Sequence, residues 1–215
     1  MHISDGVLPP QIWLGGYLVA GASAAVVLRR FDERRLPQVA VLTSLFFVCS
    51  LIQVPLGVTS VHLLLTGLLG IVLGWLSVPA LLVALFFQTV LLGHGGLTTI
   101  GVNTVIMGAG ALVSRGVFAA LWGGGSRVKS LQISVVAFVA TLVGIVVSGA
   151  LFIGVLALGG KSLGAVASII IIPYLVVGVL DALVTASTVA FLLRVKPELF
   201  DRSGCGRAHA EHQYP

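Results

Sequence analysis

Apolar runs separated by short polar or glycine-rich breaks organise the chain from residue 11 to residue 193. A helix crossing the hydrocarbon core of a bilayer needs about 20 mostly apolar residues. On that measure the pattern predicts seven transmembrane helices, at residues 11–28, 37–56, 61–76, 79–92, 102–122, 131–158 and 167–193. The third and fourth are short, which fits little tilt or partial re-entrance. The sixth is long enough to include interfacial turns.

Composition agrees with a lipid environment. Of the 215 residues, 58% are hydrophobic and 9% charged, with mean hydropathy +1.13. A soluble domain carries roughly a quarter charged residues. The 27 glycines suit close helix approach. The net charge of +5 points to topology and not to nucleic acid, because the basic residues sit between apolar runs. Two cysteines, Cys49 and Cys205, do not frame a disulfide scaffold. The fold class read from this pattern is an all-α membrane protein.

Charge predicts the orientation. Arg29, Arg30, Arg34 and Arg35, then Arg127 and Lys129, then Arg194, Lys196, Arg202 and Arg207 all fall on one side of the seven-helix scheme. By the positive-inside rule that side is the cytoplasm. The N-terminus is then outside and the C-terminus inside, in a multi-pass protein of the cytoplasmic membrane. No basic residue precedes Arg29, so the start does not read as a cleaved signal peptide. His2, His62 and His94 share the outer face in this scheme. His209 and His212 lie in the cytoplasmic tail.

The opening "MHISDGVLPP" carries the candidate chemistry. A free Met1 amine, the His2 backbone nitrogen and the His2 imidazole can close two chelate rings around one metal ion. His62 is placed to supply a fourth nitrogen. An all-nitrogen planar set suits Ni(II) or Cu(II), with Co(II) also accepted. Loss of the amide proton makes such binding weaken at low pH. On the residues alone, a solvated terminal histidine stays open beside this chelate.

Four stretches carry a family resemblance: the initial "MHISDG", "VPLGVTSVHLLLTGLLG", "LFFQTVLLGHGGLTTIGVNTVIMG" and "PYLVVGVLDALVTASTVAFLLRVKPELF". Over about residues 1–200 the chain resembles the CbiM/NikM family, the cobalt- and nickel-binding membrane subunits of energy-coupling factor transporters. The resemblance implies one transmembrane substrate-binding domain over residues 1–200. Its bundle is like the substrate-binding components of that transporter class, with an extra N-terminal helix. By the same resemblance residues 1–10 form a metal-binding segment inserted into the bundle; residues 201–215 lie outside it and, being short and polar, are expected to form a disordered cytoplasmic tail. The implied ligands are Met1, His2 and His62, with Ni²⁺ or Co²⁺ as transported substrate and no cofactor. The implied partners are a transmembrane coupling subunit, ATPase subunits and a small accessory membrane subunit, with no nucleic acid. Ser4 and His94 depart from the family pattern. His94 is therefore read as a partner behind the ligands or a transit ligand, beside a plain structural role.

Other features weigh less. "GGLTTIGVNT" is polar for its depth and reads as a loop packed on the N-terminal segment. Within it Thr98 and Asn103 are candidates for supporting the ligands, and Asn103 equally for capping the fifth helix. Asp181 and Arg115 lie inside predicted helices and are expected to form a buried ion pair, with snorkelling of Arg115 as the competitor. "VLALGGKS" ends like a phosphate loop, but Val155 stands where the motif needs glycine. Gly70 with Gly74 and Ala20 with Ala24 read as small-residue helix contacts. Cys205, His209 and His212 are a minor metal-handling candidate. No H-E-x-x-H sequence supports a membrane metalloprotease. A stand-alone permease is the remaining alternative, although a single mid-helix carboxylate and no repeat argue against it.

Overall fold

A computed structural model of the chain describes residues 2–51, 53–56, 59–122 and 130–196. Seven α-helices occur among them: α1 (Pro10–Leu28), α2 (Leu36–Cys49), α3 (Thr66–Leu73), α4 (Ser77–Leu92), α5 (Ile100–Trp122), α6 (Ser130–Leu158) and α7 (Leu163–Val195). One short antiparallel hairpin joins α2 to α3. Its strands, β1 (Gln53–Leu56) and β2 (Thr59–His62), pair Gln53 with His62 and Leu56 with Thr59.

Among the described residues, five stretches are long and apolar enough to cross a membrane: Pro10–Leu28, Thr66–Leu92, Ile100–Trp122, Leu131–Leu158 and Ile171–Val195. The expected count of seven spans is not reproduced, because the second and third predicted helices are cut back. Gln53–Leu56 and Thr59–His62 are strand, not helix. The local sequence explains this: Pro55 withholds a helix donor, while Val54, Thr59 and Val61 are β-branched and flank Gly57. Apolar content alone does not separate such a segment from a helix.

Thr66–Leu92 does not run straight. A continuous helix of that length would be about 40 Å long. Yet the rings of His62 and His94, which flank it, have centroids 6.2 Å apart. The chain reverses at Gly74, whose φ of +65° and ψ of −128° lie where glycine is favoured. A side chain there would also strike the Arg115 guanidinium. Thus α3 and α4 both point towards the histidine end, one leaving it and one returning.

The core forms around α3, all eight of whose residues are buried. It packs on α5, α6 and α7. Glycines set the spacing: a Cβ on Gly70 would meet the Ala111 carbonyl, and Gly110 and Gly144 cross with Ser114 and Ser148 tucked beside them. The small-residue positions therefore serve packing within this chain, as do Ala20 and Ala24, the buried residues of α1. Much of α1 is otherwise an exposed apolar face, including Leu14, Leu18 and Val26, as expected of a helix bathed in lipid.

The start of α3 is irregular backbone inside the bundle, with Leu65 at a left-handed φ of 48°. Buried amides there need acceptors. Asp181 of α7, fully buried, supplies them: Leu64 N donates to both carboxylate oxygens at 3.0 and 3.1 Å, and Leu65 N donates at 3.0 Å. The expected Asp181–Arg115 pair is thus replaced by a carboxylate at a helix N-terminus, where amides and dipole both favour negative charge. Arg115 sits over Gly74 instead. At the same end of α3, Arg35 Nη2 donates to the Val72 carbonyl at 3.5 Å.

Candidate metal-capture site

The N-terminal segment is held by the loop between α4 and α5. Ile3, 2% exposed, is fixed on both sides of its backbone. Its N–H donates to Asn103 Oδ1 at 3.0 Å, and its carbonyl accepts from Asn103 Nδ2 at 3.1 Å and Thr99 Oγ1 at 2.6 Å. Two residues on, the Asp5 carboxylate accepts from Leu97 N at 3.0 Å, Thr98 N at 2.9 Å and the Thr98 hydroxyl. These bonds, led by that of the Thr98 hydroxyl, hold the Asp5 carboxyl below its usual range.

The Gly95-Gly96 pair makes this approach possible. Gly95 has φ +79°, and a Cβ on it would crowd the His2 Cβ at 3.2 Å. A Cβ on Gly96 would overlap the Asp5 carboxylate and backbone. At the far end of the segment Leu8 packs against Gly159, beyond α6.

This anchoring brings His2 to His62. Their ring centroids are 5.4 Å apart and tilted by 35°. His94 stacks on His62, with ring centroids 6.2 Å apart and planes at 6°. The three histidines predicted to share one face therefore come together, His62 within ring-contact distance of both others. Among the described residues no three His, Cys, Asp or Glu side chains gather closely enough to hold one ion.

Both His2 ring nitrogens are buried, and His62 is 8% exposed. Burial lowers the His2 imidazole well below its ordinary value, and it lowers His62 to about 4. Both rings are neutral at pH 7, the form that binds metal. His62 Nδ1 lies 3.0 Å from the Leu63 carbonyl. A carbonyl only accepts, so the proton is on Nδ1 and the lone pair on Nε2.

Each candidate is thereby placed. His2, His62 and His94 come together. Asn103 lies in the first turn of α5, and its side chain bonds the backbone of Ile3, next to His2, and not a proposed ligand itself. Thr98 binds Asp5 and not the histidines. Asp181 acts two residues beyond His62, through Leu64 and Leu65, and Arg115 lies away at the Gly74 turn. Met1 and the Cys205, His209 and His212 tail lie outside the described residues, as do Arg127 and Lys129. Sequence reasoning missed Asp5, Thr99 and Gln88. The signals were present: a carboxylate opposite a donor-rich Gly-Gly turn, and one carboxamide inside the apolar "LFFQTVLL".

Comparison with known proteins places this site in context. Residues 2–199 match the family model described as CbiM, cobalt uptake substrate-specific transmembrane region. A Haemophilus influenzae protein provisionally named for metal transport is 35% identical over 204 residues, covering 94% of this chain and 98% of its own. A cobalt transport protein CbiM of Sorangium cellulosum is 32% identical over 218 residues, covering 94% and 95%. The fused nickel transport protein NikMN of Rhodobacter capsulatus is 34% identical over 109 residues, covering 48% of this chain and 31% of its own. In fold, a crystal structure of a transition metal transporter superposes with TM-score 0.73 at 23% identity, covering 96% of this chain and all of the other.

Proposed function

The chain belongs to the CbiM family of cobalt-uptake substrate-specific membrane proteins, and from that premise we propose that it captures Ni²⁺ or Co²⁺ at the outer membrane face through a chelate built on its first two residues. The ligands in this reading are the Met1 amine, the His2 backbone nitrogen, His2 Nδ1 and His62 Nε2. One observation carries it: the anchored N-terminal segment sets the buried His2 ring 5.4 Å from His62. Two imidazoles are too few for tight binding, and the main chain beside His2 supplies nitrogens of the right kind.

Charge and the family resemblance support the rest. The arginines between α1 and α2 lie about 28 Å along α1 from the N-terminal segment. With them facing the cytoplasm, the histidines face outward. The resemblance to the membrane subunits of energy-coupling factor transporters supports energy from separate ATPase subunits, relayed by a transmembrane coupling subunit, with a small accessory membrane subunit as a further partner; the sequence itself carries no phosphate loop. The relatives' names divide between cobalt and nickel, and nitrogen ligands accept both.

The test is uptake of nickel and cobalt by cells expressing the chain with and without its coupling and ATPase subunits. Uptake should require those subunits and an intact His2. Equal uptake without any ATPase contradicts the proposal and favours a stand-alone permease.

A further inference from the structure

Gln88 lies on α4, one turn before the helix ends at Gly93, and is fully buried. A buried carboxamide is costly unless both its ends are satisfied. Neither Gln88 Oε1 nor Nε2 has a well-formed hydrogen bond among the described residues, and the same holds for both ring nitrogens of His2. The fold brings these groups to one buried place: the Gln88 backbone carbonyl accepts from His94 N at 3.2 Å, and a Cβ on the adjoining Gly95 would come within 3.2 Å of the His2 Cβ.

The chelate proposed above commits His2 Nδ1 to the cation. The ring proton is then on Nε2, buried and in need of an acceptor. The other side chains near the ring are poorly suited. His62 donates from Nδ1 to the Leu63 carbonyl, and its remaining nitrogen is assigned to the cation. His94 presents its face to His62. Gln88 is the neutral side chain at hand with an acceptor oxygen.

We infer that Gln88 is a positioning residue for the metal-binding ring. Its Oε1 accepts the Nε2–H of His2 and holds the imidazole in the tautomer whose Nδ1 faces the cation. This inference rests on the chelate reading, and it adds to the site a residue that never touches the metal.

The experiment uses the full, untagged chain in detergent micelles, labelled with ¹⁵N-histidine. Two-bond proton–nitrogen correlations report the His2 tautomer without any metal. The wild type should carry its proton on Nε2, and Gln88→Leu should shift population to Nδ1–H. Titration with Ni²⁺ should show affinity reduced roughly 10- to 100-fold in Gln88→Leu, the usual cost of losing a partner behind a ligand. Gln88→Glu keeps an acceptor oxygen and should retain most of the affinity. A wild-type ring protonated on Nδ1 overturns the inference even if the leucine variant fails to fold. So does wild-type affinity in Gln88→Leu, or an equal loss in the leucine and glutamate variants. Residues added before Met1 separate the two readings. Unchanged Ni²⁺ affinity in that extended chain refutes the chelate itself. Loss of affinity there, with wild-type binding in Gln88→Leu, leaves the chelate standing and removes only Gln88.

Discussion

Asn103 holds Ile3 by both sides of its backbone, accepting from its N–H at 3.0 Å and donating to its carbonyl at 3.1 Å. A side-chain amide here takes the place of a neighbouring strand. The residue it fixes is the one after His2, so the grip sets where the first histidine points. Asn103→Ala should cut Ni²⁺ affinity roughly 10- to 100-fold, as loss of a support behind metal ligands usually does. Calorimetry in detergent checks this, with thermal unfolding as the control for global damage.

The Gly-Gly turn is a steric gate for the same segment. Gly96→Ala puts a methyl group where the Asp5 carboxylate and backbone now lie. The segment should undock while the bundle stays folded. Limited proteolysis should then cut within residues 2–9 faster than in the wild type, and metal binding should fall in parallel.

The Asp181 cap ties α7 to the strand end that carries His62. Asp181→Ala leaves the Leu64 and Leu65 amides buried without their acceptor, at about 1–3 kcal/mol for each. A large drop in melting temperature is expected. Asp181→Asn keeps one acceptor oxygen and should lose less. A melting temperature in Asp181→Ala close to that of the wild type would show that the cap contributes little.

Neutral, buried histidines make stability depend on pH in a definite direction. His62 titrates near 4 when folded and near 6.5 when unfolded. The unfolded chain therefore takes up its proton first as pH falls, and stability declines from pH 6.5 down through pH 4. The loss from His62 approaches about 3 kcal/mol below pH 4. Above pH 6.5 this group has no effect. His62→Ala should flatten the acid limb of a melting-temperature series.

Much of this was legible in the sequence because hydrophobic runs and rare polar residues carry strong signals. The helical membrane class and α1, α5, α6 and α7 follow from apolar length. The meeting of His2, His62 and His94 follows from counting which side each loop faces. The paired strands at 53–56 and 59–62 were not legible, since their valines, Leu56 and Pro55 read as part of an apolar run. Asp181 was seen as unusual, but its partner was assigned by side-chain charge. The acceptor-hungry groups were backbone amides at a broken helix, which no sequence pattern displays. For the same reason Asp5 went unnoticed, as its donors are also mainly backbone.

The most direct measurement is the Ni²⁺ affinity of a chain beginning at Met1, compared with one carrying a few residues ahead of it. An extension converts the terminal amine into a peptide nitrogen and leaves every side chain in place. The account predicts that binding falls to the level of His2→Ala. Binding as tight as that of the unextended chain would contradict it.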